Sequence, residues 1–211
     1  MEKKIANYIS VIFHPVFMPT LGLLTILYIG LIPGFNVYVV DQKMDNIYLL
    51  FGLLITFTFL IPCSIIYYMA KTGRVSSIRM PYKEERMLPF LLTFISFVTF
   101  SMIVLKYIPN KVPPYIIYVV LGATLGVFCA FIVNTFWKIS IHMIGIGGFT
   151  GMMFTLSYLF HSDFMWVYMS IFLSGLVGFS RMELKAHTIQ QVIAGYIVGV
   201  LSQVFLVFLI S

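Results

Sequence analysis

Long apolar stretches separated by short charged segments dominate the chain. The uncharged intervals run over 5–40, 46–70, 87–105, 112–137, 139–162, 164–180 and 186–211. A helix needs about 20 mostly apolar residues to cross the hydrocarbon core of a bilayer. The pattern therefore predicts six to seven transmembrane helices, and the seven candidates lie at about 9–33, 46–70, 87–107, 114–137, 141–160, 164–180 and 188–210.

Composition supports a membrane location. Hydrophobic residues make up 61% of the 211 positions and charged residues only 9%, whereas a soluble domain carries roughly 25% charged residues. A chain of this length cannot hide so much apolar surface from water by folding on itself. We expect a single all-α transmembrane domain over 1–211, built as a compact helical bundle in a bacterial inner membrane.

The basic residues predict an orientation, because cytoplasmic loops carry an excess of lysine and arginine. With the N-terminus in the cytoplasm, the outer segments hold three basic residues, Lys43, Lys106 and Lys111. The inner segments hold ten. If some of these ten belong to a binding site, they are not independent evidence for the orientation, and the inverted topology stays open.

Three pairs of glycines recur at a spacing of four residues: Gly122/Gly126, Gly147/Gly151 and Gly195/Gly199. Small residues at this spacing let two helix backbones approach closely. Glycine is also common in membrane helices in general, so one pair alone indicates little. Together the three pairs predict tight helix packing.

Three polar segments lie at the ends of predicted helices, on the same side of the membrane. The first, at 71–89, contains five basic residues, and on a helix Arg79 and Arg86 would share a face. The second, at 137–148, brings Lys138, Ser140 and His142 to a helix start, where free N–H groups favour an anion. Each segment has a plainer interpretation: a solvated positive loop for the first, and a helix cap with an interfacial histidine for the second.

The third polar segment reads "SRMELKAHTIQQ" and opens the last predicted helix. Gln191 lies one helical turn beyond His187, so the two side chains can meet. The amide carbonyl of Gln191 could accept a hydrogen bond from one ring nitrogen of His187 and leave the other nitrogen free to attack. Arg181 precedes them. The plainer interpretation is a basic membrane edge with a histidine at a helix start.

In order and spacing the three segments resemble the motifs of the type 2 phosphatidic acid phosphatases, which share a helical core with the vanadium haloperoxidases. The family has Lys, six residues, Arg-Pro; then Pro-Ser-Gly-His; then Ser-Arg, five residues, His, three residues, Asp. In this chain the matching positions are Arg79 and Arg86, then Ser140 and His142, then Ser180, Arg181, His187 and Gln191. The family-like core covers about 71–211.

The resemblance implies a phosphatase that needs no metal or other cofactor and acts on a lipid phosphate monoester or diphosphate. His187 would attack phosphorus, and His142 would protonate the leaving oxygen. The phosphoryl oxygens would be held by Arg79, Arg86, Lys138, Ser140 and Arg181. The expected partners are the bilayer and a membrane lipid phosphate; no nucleic acid is expected.

The chain departs from the family pattern at several positions. Arg79 replaces lysine, and Ile139 and Ile141 replace the proline and glycine of the second motif. Gln191 stands where the family has aspartate, and a neutral amide orients a histidine without supplying charge. A relative that binds anionic headgroups without turnover is therefore the alternative. A channel or transporter has less support, because the predicted helix interiors hold few charges.

Overall fold

The computed structural model describes residues 2–30, 45–78, 80, 82–107 and 113–210. Within these ranges the chain is an all-α bundle without β-strands. Its α-helices are α1 (Glu2–Ile12), α2 (Met18–Gly30), α3 (Asp45–Ile55), α4 (Ile61–Lys71), α5 (Met87–Tyr107), α6 (Pro114–Phe136), α7 (Ile141–Leu159), α8 (Met165–Glu183) and α9 (Ile189–Ile210).

Six helical segments are long and apolar enough to cross a membrane. They are Glu2–Tyr28, Ile47–Lys71, Glu84–Tyr107, Pro114–Phe136, Met165–Glu183 and Ile189–Leu206. Each agrees with a predicted span to within a few residues, except that the first begins at Glu2 rather than at about residue 9. The length and apolar composition of these six helices are those of a multi-pass membrane protein.

The remaining predicted span, 141–160, forms helix α7 but is not among the six. Its sequence is interrupted by glycine, serine, threonine and histidine, and most of its side chains are buried against other helices. A helix surrounded by protein does not need a continuous apolar surface toward lipid. Helix α7 therefore lies among other helices of the bundle, with most of its side chains buried against them.

The first membrane segment is broken where α1 meets α2. His14 adopts an extended conformation, and a short 3₁₀ turn follows at Pro15–Phe17. Proline lacks a backbone N–H and disfavours helical geometry in the residue before it, so the break falls at this point. Helix α1 then packs on α8, while α2 packs on α7.

Helices α7 and α9 form the closest helix pair of the bundle. A methyl group added at Gly147 would lie 2.4 Å from the carbonyl oxygen of Tyr196, and one at Gly199 would lie 2.3 Å from that of Ile144. Neither position has room for a side chain. The third pair lies on α6 and faces Ser202 and Gln203 of α9, so the predicted close packing is confirmed.

Helices α2 to α7 are arranged differently. Around their ring, α2 packs on α3 and α7, and α5 packs on α4 and α6, while α6 and α7 also pack extensively on α9. Their inward side chains build the largest apolar core, which includes Leu50, Phe100 and Met153. An apolar cavity of about 180 Å³ remains between them.

Between α4 and α5 the first polar segment is not an α-helix where the structure describes it. Residues 72–78 are turns and bends, and a short 3₁₀ turn follows at Glu84–Arg86. Gly73 and Met80 have positive φ angles of 70° and 42°, which a regular helix does not accommodate. Arg79 lies outside the described residues, so the prediction that Arg79 and Arg86 share a helical face stays a prediction, and Arg86 itself lies in the 3₁₀ turn.

Candidate functional site

The start of α9 holds a histidine in one defined tautomer. His187 Nδ1 lies 3.0 Å from Gln191 Oε1, and the same oxygen accepts the backbone N–H of Thr188 at 3.3 Å. Because an amide oxygen only accepts, Nδ1 carries the proton and Nε2 keeps its lone pair. This is the geometry expected from the four-residue spacing in the sequence.

Three cations from three separate segments act on this histidine: Arg86, Lys138 and Arg181, here called the cation cluster. Arg86 precedes α5, Lys138 precedes α7, and Arg181 lies near the end of α8. Two helices separate each cation from the next along the chain, so consecutive antiparallel crossings return them to the same end of the bundle. The described structure thus brings the three polar segments together.

The electrostatics of the site keep His187 neutral. Burial is the main cause that lowers the pKa of His187 to about 3, and the three cations lower it further. The hydrogen bond with Gln191 acts in the opposite direction. Burial, and then the charges of Arg86 and Arg181, also lower the pKa of Lys138. At neutral pH the site therefore combines a positive field with an unprotonated imidazole nitrogen.

Arg86 is buried and is held by a backbone carbonyl of the loop that precedes it. It is only 7% exposed, and its Nε donates to the carbonyl oxygen of Met80 at 2.7 Å. Nearby, Lys83 is tied to the end of α6, because its carbonyl accepts the Asn134 amide at 3.0 Å. The loop before α5 is thereby anchored beside the segment that carries Lys138.

Ser140 and His142 lie buried at the start of α7. Ser140 is 0% exposed and occupies the N-cap position, yet its hydroxyl makes no capping hydrogen bond. Its Oγ has no hydrogen-bond partner within the described residues. A buried hydroxyl without a partner costs free energy, so this oxygen is placed to meet a ligand or a water. The interpretation of Ser140 as a simple helix cap is wrong.

Ser10 of α1 belongs to the same site, although no sequence pattern indicates it. Its carbonyl oxygen lies 3.1 Å from His142 Nε2 and its hydroxyl 3.3 Å from the same nitrogen. Arg181 Nη1 also donates to the Ser10 hydroxyl. Because the carbonyl accepts, Nε2 of His142 carries the proton and Nδ1 is left without a partner within the described residues.

His14 is the second residue of the site that the sequence patterns did not indicate. Its ring contacts the ring of His142 edge-on, with centroids 5.1 Å apart. A further bond fixes α1 against the site, since Ser180 Oγ donates to the Ala6 carbonyl at 2.6 Å. Ala6 and Ser10 are small residues four apart, the same signal that marked the glycine pairs.

The described part of the chain holds no group of three histidine, cysteine or acidic side chains suited to a metal ion. The site offers instead fixed cations, a buried hydroxyl and a neutral imidazole, which are groups that bind and attack an oxyanion. No known protein family, no curated protein and no solved structure matches this chain.

Proposed function

We propose that this chain is an integral-membrane lipid phosphatase, a divergent relative of the type 2 phosphatidic acid phosphatases. It hydrolyses a lipid phosphate monoester or diphosphate at the cytoplasmic edge of a bacterial inner membrane, with its N-terminus in the cytoplasm. One observation carries the proposal: three cations from separate segments surround a neutral histidine whose Nδ1–H is held by Gln191. The family resemblance of the three motifs agrees with it.

In the first step, the Nε2 lone pair of His187 attacks phosphorus, and the bond from phosphorus to the leaving oxygen breaks. The leaving oxygen takes the proton of the monoprotonated phosphoryl group, relayed through Nδ1 of neutral His142, the nitrogen left open by Ser10. Arg86, Lys138 and Arg181 stabilise the charge that builds on the phosphoryl oxygens. The product of this step is a phosphohistidine and the free alcohol or monophosphate.

In the second step, a water molecule attacks the phosphohistidine. Neutral His142 accepts a proton of that water at Nδ1 and passes it to the departing phosphate, and the bond between phosphorus and Nε2 breaks. Inorganic phosphate leaves, and His187 returns to the neutral form that its surroundings favour. Ser140 Oγ donates to one phosphoryl oxygen throughout, which gives the buried hydroxyl its missing partner.

A second candidate function is headgroup binding without turnover, and Gln191 is the observation that favours it. A neutral amide fixes the tautomer of His187 but does not stabilise the positive charge that develops on the ring during attack. In that case the cation cluster and Ser140 would still hold a phosphate group. The chain would then recognise anionic lipids rather than hydrolyse them.

The deciding experiment measures phosphate release by the purified protein against a panel of lipid phosphates and diphosphates, with and without EDTA. His187→Ala is compared with His161→Ala, which makes the same change at an exposed histidine. We expect release that survives EDTA, is lost in His187→Ala and is unchanged in His161→Ala. Trapping the phosphorylated enzyme with labelled substrate and quenching at alkaline pH would locate the phosphoryl group on His187.

Equal release by both variants would rule out His187 as the nucleophile. No release by the folded parent protein, combined with retained binding of lipid phosphates, would favour the headgroup-binding function. Lipid binding that survives loss of Arg181 and Lys138 together would contradict both functions, because both depend on the cation cluster.

A further inference from the structure

His14 lies outside the three polar segments, and the two proposed reaction steps do not use it. It occupies the break between α1 and α2, in an extended conformation directly before Pro15. Its Nδ1 is buried and has no hydrogen-bond partner within the described residues. A buried polar nitrogen without a partner costs free energy, so Nδ1 of His14 is placed to meet a molecule that enters the site.

The break in the first membrane segment holds His14 against α7. The His14 carbonyl accepts the backbone N–H of Phe17 at 2.9 Å, which closes the 3₁₀ turn that begins at Pro15. This turn packs on α7 at Gly145, where an added methyl group would lie 3.4 Å from Pro15 Cα. Gly145 follows His142 by three residues, so the two lie on one face of the helix. His14 is thus fixed against the face of α7 that carries His142.

Of the three histidines at the site, His142 is the one close to both others. Its ring contacts the ring of His14 edge-on, with centroids 5.1 Å apart, and the charges of His14 and His187 both act on it. In the proposed reaction His142 serves the leaving oxygen, which departs in line with and opposite to His187. His14, as the neighbour of His142, therefore belongs to the leaving side of the phosphoryl group.

The leaving side also receives the water of the second step, because that water enters where the leaving group has departed. Nδ1 of His142 and Nδ1 of His14 are both buried and without a partner within the described residues. A ring nitrogen that carries no proton accepts a hydrogen bond. Two such acceptors would take both O–H groups of one water molecule and leave its lone pairs facing phosphorus.

We propose that His14 is a third catalytic histidine, which positions the water that hydrolyses the phosphohistidine. This inference rests on the proposed function and specifies its second step. The water donates one O–H to His142 Nδ1, which takes that proton and passes it to the departing phosphate. The other O–H donates to His14 Nδ1 and stays on the oxygen. That oxygen bonds to phosphorus as the bond from phosphorus to His187 Nε2 breaks, and inorganic phosphate carries the second hydrogen away.

The test measures the two reaction steps separately in the full-length protein. The probe is the lipid phosphate that is hydrolysed fastest in the panel above, labelled in its terminal phosphoryl group. Rapid quenching gives the rate constant for formation of the phosphohistidine, and a chase with unlabelled probe gives the rate constant for its decay.

Four variants are compared with the parent protein. His14→Leu removes the acceptor and keeps much of the side-chain volume. His14→Asn keeps an acceptor near the position of Nδ1, whereas His14→Gln carries the same amide one carbon further out. His161→Leu is the matched control, because it makes the leucine change at an exposed histidine.

We expect His14→Leu to slow decay at least about tenfold, because a misplaced water reacts poorly, and to change formation by less than about threefold. Phosphorylated protein should therefore accumulate during turnover. His14→Asn should restore most of the decay rate, and His161→Leu should match the parent. His14→Gln should decay as slowly as His14→Leu, which gives a second comparison with His14→Asn if the leucine variant does not fold.

A purely structural role for His14 would slow both steps alike and would lower the unfolding midpoint. That result, or decay at the parent rate in His14→Leu, would overturn the proposal while the phosphatase function stands. If the parent itself forms no phosphohistidine, the phosphatase function fails and the role of His14 fails with it. The parent and variant measurements therefore distinguish the two failures.

Discussion

Helix packing differs between two regions of this bundle. Helices α7 and α9 meet backbone to backbone through Gly147 and Gly199, with no space left between them. Helices α2 to α6 carry large side chains such as Leu50 and Phe100, yet their ring leaves a cavity at its centre. The polar side chains of the site lie on the tightly packed side, and the apolar chamber lies on the open side.

One small bundle thus combines two helices in rigid backbone contact with an apolar space between other helices. Positioning a nucleophile and its supporting groups requires rigid elements, and helices in backbone contact provide them. Helices α2 to α7 instead enclose an apolar space, and small residues such as Gly22, Ala123 and Gly148 lie on its wall.

The largest effect is expected from separating α7 and α9. Gly199→Ala places a methyl group 2.3 Å from the Ile144 carbonyl oxygen and 2.7 Å from the Gly148 nitrogen, so the helices must move apart. Overpacking of this kind costs about 1–3 kcal/mol, and phosphate release should be lost because His187 moves with α9. Thermal unfolding and activity are compared with Gly175→Ala, whose added methyl group meets nothing within 4 Å. Identical behaviour of the two variants would show that close contact between α7 and α9 is not required.

The next effect concerns the charge beside His187. Gln191→Asp places a carboxylate near Nδ1, which stabilises the ring as it becomes positive and should raise kcat by about tenfold or more. Gln191→Leu, which removes the acceptor, should lower it. Single-turnover measurements on one lipid phosphate check both variants. A decrease in Gln191→Asp would mean that the amide is specifically required.

A smaller effect is expected at the contact between α1 and the site. Ser10→Ala removes the hydroxyl that accepts from Arg181, and the loss of one such hydrogen bond corresponds to roughly three- to tenfold in kcat. Ser10→Thr keeps the hydroxyl and should restore most of the activity. The unfolding midpoint should change little in either variant, which distinguishes positioning of Arg181 and His142 from a general loss of stability. Full activity in Ser10→Ala would show that the Ser10 hydroxyl does not contribute to activity.

The smallest effect is the pH dependence of stability that His187 contributes. Its pKa is about 3 in the folded protein and about 6.5 in an unfolded chain. Between these values the unfolded state binds a proton that the folded state does not, so stability falls as the pH falls. The loss is at most about 1.4 kcal/mol per pH unit, and none is expected above pH 7. Unfolding midpoints of the parent and of His187→Ala, measured from pH 7 to pH 4, should converge as the pH falls.

Local patterns in the sequence predicted the parts of the fold and site that depend on local spacing. The spans follow from apolar length, the glycine pairs from their spacing, and the contact between His187 and Gln191 from one helical turn. Ser10 and His14 were missed because their partner His142 lies more than a hundred positions away. No sequence pattern around Ser10 or His14 indicates that contact.

Two further features were beyond the reach of sequence patterns for a physical reason. The loop before α5 departs from helix at Met80, and regular spacing of arginines cannot reveal such a departure. The cavity is lined by residues of six helices. The sequence of any one of these helices therefore cannot predict it. Both features depend on how distant segments meet, which a pattern along one segment does not contain.

The hydrogen-bond partners of α1 lie near the other end of the chain. Ser10 and Arg181 are 171 positions apart, and Ala6 and Ser180 are 174 apart. Helix α1 is synthesised first, and α8 and α9 are synthesised last. For most of synthesis α1 therefore lacks the residues to which it is hydrogen-bonded in the folded protein. A chain that stops before α8 has the first helix, Arg86 and Lys138 but neither Arg181 nor His187. Completion of the candidate site is thus tied to insertion of the final hairpin.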